Sequence, residues 1–492
     1  VPVPDGVGQQ ASATITITAG TVSGLLTVYI GGQKVQLSVA STDTANTIAT
    51  NLAAAINALP EMCVTAAAAT NTVTVTCDWA GLTGNDINII PNYLGVYGGE
   101  TFPTGLSLSM SKSQGAATAG TATTSPTLTF GANNVPSNVV AGDTAFDKTS
   151  SSSIGTVLSV SQASGTVTLT ANAAFAVTSG DVIVFRTTAG NGQLNGGTGE
   201  PTFTAAISAI QSLEFDYAAV PHTDAASMAA WNIEYGFGAN GRWNYTRQQY
   251  GMILNTVRDT YANLITWGLA QNAPVISSMA VETDSPTPVF QWAAAYCALA
   301  ALGFSADPAR PLQTLEFLGV LPARLQNRFS QSQLNSLTNS GLGIQATAPD
   351  GNPMILREQT QYQLNSFGQS DTAFGLLTVL ATLQELLRRM KSAITSKYPR
   401  VKLIPDGTKI GPGQAAVTPT DIKAELVSEF SAAEFDGLVS NMAQFKANLI
   451  VEIDNNNPNK LNVLWPPQLA GQLRQFNALA QFRLLYPPIT LN

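Results

Sequence analysis

The sequence predicts a multidomain α/β protein, and three observations predict it. At 492 residues the chain exceeds what one hydrophobic core normally organises. From residue 196 onward, helix-spaced and strand-like segments alternate, the pattern of βα units around a mainly parallel sheet. Between residues 111 and 190 that alternation is missing, and short Val/Thr-rich runs sit between Gly, Asn and Ser, which reads as all-β.

Residues 1–110 read as a small α/β unit. ATITITA (13–19) and LLTVYIGGQKVQLSVA (25–40) alternate apolar and polar residues, with Gly31-Gly32 as a hairpin turn. Thr44 is placed to cap a helix in which Ile48, Leu52, Ala55 and Ile56 recur at helical spacing. Cys63 and Cys77 flank a second hairpin turning near Thr70 and Asn71, and GNDINII (84–90) and LSLSM (106–110) add strands. Residues 111–190 read as an inserted β-rich module on the surface, and SKSQGAATAGTATTSPT (111–127) reads as a flexible linker by composition.

Residues 191–384 read as a parallel-sheet α/β domain. PTFTAAISAIQ (201–211) is a helix, FDYAAVP (215–221) a strand and DAASMAAWNIEYGF (224–237) a helix. YGMILNT (250–256), DTYANLITWGLAQ (259–271), VISSMAV (275–281) and PVFQWAAAYCALAALGF (288–304) continue the alternation. Residues 310–384 hold extended segments, with a helix expected around 372–396. The last part, 385–492, is α+β: a basic helix ending before Pro399, a turn-rich loop, an amphipathic helix over 421–437, and a strand pair around the Asn-rich turn 455–459.

Composition narrows the function. Only 11% of residues are charged, against roughly 25% in an ordinary soluble domain. A surface of hydroxyls and amides is cheaper to desolvate than one of ions and suits a protein packed against other copies. Residues 1–384 hold 11 Lys/Arg against 22 Asp/Glu, whereas 385–492 hold 12 against 9. An acidic body repels phosphates and argues against free nucleic acid as a partner. Three cysteines are too few for a disulfide framework, so reduced thiols are expected. The uncharged stretch 285–306 holds an apolar helix around Trp292–Phe304, shorter than the roughly 20 residues a span needs, so membrane insertion is not expected. The opening Val-Pro-Val-Pro reads as though an N-terminal piece were missing.

Catalysis and metal binding find little support. His222 is the single histidine, placed after a predicted strand where α/β sites often lie, with Asp224 nearby. No GxSxG elbow accompanies it, and a structural or solvent-exposed role is expected. One His and three scattered Cys supply no zinc set, Asp5, Asp86 and Asp143 supply no EF-hand, and GGTGEPT (196–202) lacks the Gly-Lys-Ser/Thr of a phosphate loop. No cofactor, metal or enzyme activity is expected.

Several segments resemble a known family. DPARPLQTLEFLGVLP (307–322), ITSKYPRVKLIPDGTKIGPGQAAVTP (394–419) and FKANLIVEIDNNNPNKLNVLWPPQLAGQLRQF (445–476) resemble the tail sheath proteins of Mu-like contractile phages, as does the Gly31-Gly32 hairpin with its following helix. The resemblance implies that 191–384 is a subtilisin-like, non-catalytic fold and that 385–492 is a C-terminal sheath domain with a terminal arm. It implies a structural subunit that stacks in six-fold rings around a tail tube and contracts to drive the tube through the host envelope for genome delivery. The partners implied are other sheath subunits, the tube protein, the baseplate and the tail terminator; the location implied is the virion tail, assembled in host cytoplasm. The 111–190 module is longer and more β-rich than the family leads one to expect, and the family's N-terminal arm lies upstream of Val1.

Two groups of site residues follow from this resemblance. Arg388, Arg389, Lys391 and Lys397 cluster on the basic helix and are expected to face an acidic tube surface. Gln481, Phe482, Arg483, Leu484, Leu485 and Tyr486 alternate enough to serve as a strand exchanged between subunits. A reading from another class is a secreted or surface-layer β-rich adhesive protein, suggested by the Thr/Ser/Ala/Gly-rich 1–190 and opposed by the βα region. A third is a hydrolase on the parallel-sheet domain.

Overall fold

The computed structural model describes residues 8–20, 22–136, 138–187, 190–409, 411–480 and 482. Two compact units emerge, Val1–Ser305 with Leu312–Leu380, and Ala306–Pro311 with Ala381–Asn492.

The first unit opens with β1 (Gln10–Thr18), β2 (Gly24–Ile30) and β3 (Gln33–Val39), then α1 (Ala45–Asn57). Gly31 and Gly32 both take positive φ, +56° and +82°, the left-handed pair that a two-residue hairpin between β2 and β3 requires. The Thr44 side chain accepts from the Thr47 amide and caps α1, whose Ile48, Leu52 and Ile56 are buried. β4 (Val64–Ala69) and β5 (Thr72–Ala80) form the expected cysteine hairpin, with Val64 opposite Cys77. Neither Cys63 nor Cys77 is in a disulfide. β6 (Asn88–Pro91) joins β2, and β7 (Ser107–Ala116) joins β1.

The all-β region supplies β8 (Thr127–Thr129), β9 (Thr144–Asp147), β10 (Ser152–Ser161), β11 (Thr166–Leu169) and β12 (Val182–Thr187). These strands continue the N-terminal sheet, giving nine strands in the order β4-β5-β1-β7-β12-β9-β10-β11-β8 among the described residues. The flexible linker expected over 111–127 is therefore corrected. Residues 111–116 lie in β7 and pair with β12, because the alternating polar side chains of SKSQ fit a pleated strand as well as a loop. The region keeps a core of its own around Phe130, Ile154, Val167, Ile183 and Phe185. A second sheet runs β13-β6-β2-β3, where β13 is Gly192–Gln193.

The alternation read from residue 196 appears in order: α2 (Thr204–Ile210), β14 (Tyr217–Ala219), α3 (Ala225–Tyr235), β15 (Met252–Asp259), α4 (Tyr261–Leu269), β16 (Ile276–Glu282) and α5 (Val289–Ala306). β14, β15 and β16 are parallel, with Ile253 opposite Ile276. Every residue of β16 is buried, as a strand covered on both faces requires. Its polar side chains are satisfied: Ser277 bonds Tyr296 at 2.8 Å and the Gln359 carbonyl at 2.6 Å, and Gln361 donates to Ser278 at 2.6 Å. α5, at 18 residues, runs longer than the segment read from sequence and is apolar enough to cross a bilayer by length and composition alone. Here Trp292, Ala293, Tyr296 and Ala300 are fully buried against protein. The extended reading of 310–384 missed α6 (Gln331–Asn339), which carries a Ser330/Gln333 capping box on a weakly apolar segment. β17 (Ile344–Thr347) and β18 (Pro353–Arg357) follow as a hairpin.

α7 (Leu377–Lys397) continues into the second unit. That unit adds β19 (Lys402–Leu403), β20 (Ala416–Val417), α8 (Pro419–Phe435), β21 (Val439–Ser440), α9 (Met442–Asn448), β22 (Ile450–Asp454), β23 (Asn457–Leu464) and β24 (Gln468–Leu469). Thr418 and Asp421 form a capping box around Pro419 at the start of α8. The core centres on Phe430 and Phe445, stacked with centroids 3.9 Å apart. The strand pair expected around the Asn-rich turn is β22–β23.

Candidate functional site

Leu386, Met390 and Ile394 recur every four residues along α7 and pack into the core of the second unit. Arg388, Arg389 and Lys391 lie off that stripe. Arg389 donates to Glu385 at 2.7 Å and to Asp436 at 2.5 Å, and these bonds hold its pKa above the ordinary arginine value. Lys397 places its ammonium 2.5 Å and 2.6 Å from the two oxygens of Glu425, and that contact raises its pKa. Arg388 is half-buried and also engaged, whereas Lys391 is exposed. The four cations thus share one helix, but two of them are tied to carboxylates of their own unit. The Glu385–Arg389 pair is readable from its i,i+4 spacing. Asp436 and Glu425 were missed because they lie 47 and 28 residues from their partners.

The hairpin β22–β23 forms a two-stranded sheet by itself among the described residues, leaving both outer backbone edges open. Asp454 anchors its turn, accepting from Lys460 and Asn462 at 3.0 Å and from the Asn456 amide at 2.9 Å. Beyond β24 the chain carries Leu473, Phe476, Leu479 and Phe482, spaced three apart and all strongly exposed. Phe482 lies in no strand. Gln481, Arg483, Leu484, Leu485 and Tyr486 lie outside the described residues.

His222 lies just past β14, at the C-terminal end of the parallel strands, with its ring 5.2 Å from that of Phe203. It lines a cleft of about 180 Å³ with Asp86, Glu200, Asp224 and Arg258. The hydroxyls on that lining belong to Thr83, Thr223 and Thr256, so the imagined Ser-His-Asp arrangement finds no serine there. Asp224 is committed to structure. Burial pushes its carboxyl pKa up, but hydrogen bonds from Ser227, whose amide donates at 2.8 Å to cap α3, outweigh burial and hold it low. Among the described residues no three His, Cys, Asp or Glu side chains converge as a metal set would.

Residues 369–483 match the family described as phage tail sheath C-terminal domain. The chain is 35% identical over 291 residues to the Mu-like prophage FluMu tail sheath protein of Haemophilus influenzae, an alignment covering 59% of this chain. It spans 58% of that relative's length. The structure is also similar to a sheath tail protein from Desulfitobacterium hafniense, with a TM-score of 0.39 and 14% identity over 81% of this chain and 77% of that one. A sheath tail protein from Listeria innocua gives a TM-score of 0.38 and 13% identity over 72% and 79%. The chain is thus similar to a Mu-like prophage tail sheath protein over 291 residues, and over residues 369–483 to the phage tail sheath C-terminal domain.

Proposed function

We propose that the chain is a structural subunit of a contractile tail sheath, polymerising around a tail tube and contracting to drive that tube through the host envelope. The observation that carries this reading is the match over residues 369–483, most of which falls in the second compact unit. The open edges of β22–β23 and the exposed apolar row from Leu473 to Phe482 support it, since both are features that another copy would cover. In this reading 191–384 is a subtilisin-like fold without catalysis, and the β-rich region decorates the outside. Partners are other subunits in six-fold rings, the tube, the baseplate and the terminator, and the location is the virion tail after assembly in host cytoplasm. Contraction needs no nucleotide, because repacking of interfaces releases energy stored at assembly.

Two finer assignments belong to the proposal. Residues 481–486 add as a strand to a neighbouring copy, gaining affinity from backbone hydrogen bonds. Arg388, Arg389, Lys391 and Lys397 face the tube, with the exposed Lys391 carrying most of the contact and the ion pairs of Arg389 and Lys397 fixing the helix that presents it. The test is negative-stain electron microscopy of the chain mixed with purified tail tubes. Hollow sheaths of uniform width on the tubes are expected, and their loss on deleting residues 481–492 from a chain that stays folded. Bare tubes under all conditions, or full sheaths from the deletion, would overturn the corresponding assignment.

A further inference from the structure

The open face of the nine-stranded sheet holds an unbalanced cation. Arg186 on β12 packs its guanidinium against the Phe146 ring, 3.7 Å from the centroid. Its Nε is buried and has no hydrogen-bond partner among the described residues. Burial drives its pKa below the ordinary arginine value, and no carboxylate among the described residues offsets that burial. The nearby acids are committed elsewhere: Asp143 pairs with Lys112 at 3.0 Å, and Asp147 accepts from the Thr149 amide at 2.8 Å. By strand alternation Asp147 points to the opposite sheet face from Phe146.

Around Arg186 lies a cleft of about 80 Å³ with a largely polar lining. Lys148 supplies a second cation, Ser12, Thr14 and Ser111 supply hydroxyls, and Asn195 an amide. The Ser111 Oγ accepts from the Thr14 amide at 3.2 Å, which leaves its own proton available to donate. The pairing between β12 and β7 shifts register between Phe185 and Arg186, a bulge of the kind that re-aims a side chain beside a site. Because Phe146 covers a face of the guanidinium, the in-plane N–H groups are the ones left to bind.

We propose that this cleft binds a single small oxyanion, a phosphate-like or carboxylate group, held by Arg186 and Lys148 with the Ser12, Thr14 and Ser111 hydroxyls around it. The bound anion supplies the counter-charge that the fold withholds from Arg186, and so tightens β1, β7, β9 and β12 across the sheet. The site is independent of the sheath reading.

The test titrates inorganic phosphate, and separately acetate, against chloride at constant ionic strength into the full chain, following its melting temperature. A saturable rise is expected for the unsubstituted protein, with apparent affinity falling about tenfold or more in Arg186→Met and more modestly in Lys148→Met. Without added anion, Arg186→Met is expected to melt no lower than the unsubstituted chain, since it removes an uncompensated charge. A response to phosphate alone identifies a tetrahedral ligand, and a response to acetate as well identifies a carboxylate-accepting site. No saturable response to either anion, or an undiminished one in both Arg186→Met and Lys148→Met, overturns the proposal. Should Arg186→Met fail to fold, Lys148→Met alone decides.

Discussion

The exposed ammonium of Lys397 closes over Glu425, a carboxylate whose side chain is only 8% exposed, with both oxygens within 2.6 Å. Glu425 lies on the inward side of α8 beside Leu426. Without Lys397 it keeps a charge that burial makes costly. Lys397→Met is therefore expected to lower the melting temperature of the second unit, and Lys397→Met with Glu425→Gln to recover part of the loss. A double-mutant cycle by thermal denaturation checks this, and additive effects would show that the pair is uncoupled.

Phe430 and Phe445 stack almost parallel, 12° apart, at the centre of the second unit, and Phe445 also meets Trp465 edge-on. Phe445→Ala leaves a cavity between α8 and α9 and should cost about 3–5 kcal/mol in urea denaturation. Phe435, which is exposed at the end of α8, serves as the control: Phe435→Ala should change stability by less than about 0.5 kcal/mol.

Asp284, two residues beyond β16, is gripped by Arg324, whose Nη2 and Nε donate at 2.6 Å and 2.8 Å. Burial alone pushes the Asp284 pKa up, but the Arg324 fork and Asn191 outweigh it and hold the carboxyl below its usual range. A depressed folded-state pKa contributes stability that is present above the unfolded value near 3.9 and is lost as pH falls through the folded value. Asp284→Asn is expected to cost about 1.5–3 kcal/mol at pH 7. The difference between the two proteins should narrow steadily below about pH 4, and denaturation curves at a series of pH values would show a constant gap if the pair were unimportant.

Burial pushes the Cys63 thiol up to about 11, with a smaller contribution from neighbouring Cys77, and burial also pushes Cys297 to about 11. Thiolate is the reactive form, so both should resist iodoacetamide at pH 8 in the native protein and react readily in denaturant. Mass spectrometry of labelled peptides reads the outcome. It also tests the reduced state, because a Cys63–Cys77 bond would block labelling in denaturant as well.

Local signals located most of the elements. Gly31-Gly32 specifies a hairpin because few other residues adopt two successive positive φ values, and Thr44 specifies a helix start through one side-chain bond. The βα alternation was legible because each buried strand of the parallel sheet is a short apolar run between helices. Residues 111–116 were not, since Ser, Lys, Gln and Gly serve a strand with one wet face as readily as a loop. The continuity of the nine-stranded sheet depends on β7 meeting β12, a pairing between segments far apart in sequence that leaves no local trace. The basic helix was legible as a cluster of charges, but not its electrostatic state. Arg389 and Lys397 are balanced by Asp436 and Glu425, which only tertiary folding brings to them.

The meeting of β7 and β12 has a consequence for how this chain can change its length. The strand that enters the β-rich region and the strand that leaves it are antiparallel neighbours, with Ala116 opposite Val182. Everything between them is an excursion that returns to its starting point. A tight turn joining Ala116 to Val182 would remove the excursion without stranding either end, at the cost of baring Ile183 and Phe185, which now face its core. Lineages could gain, lose or exchange such a region in one recombination step while the rest of the sheet keeps its register.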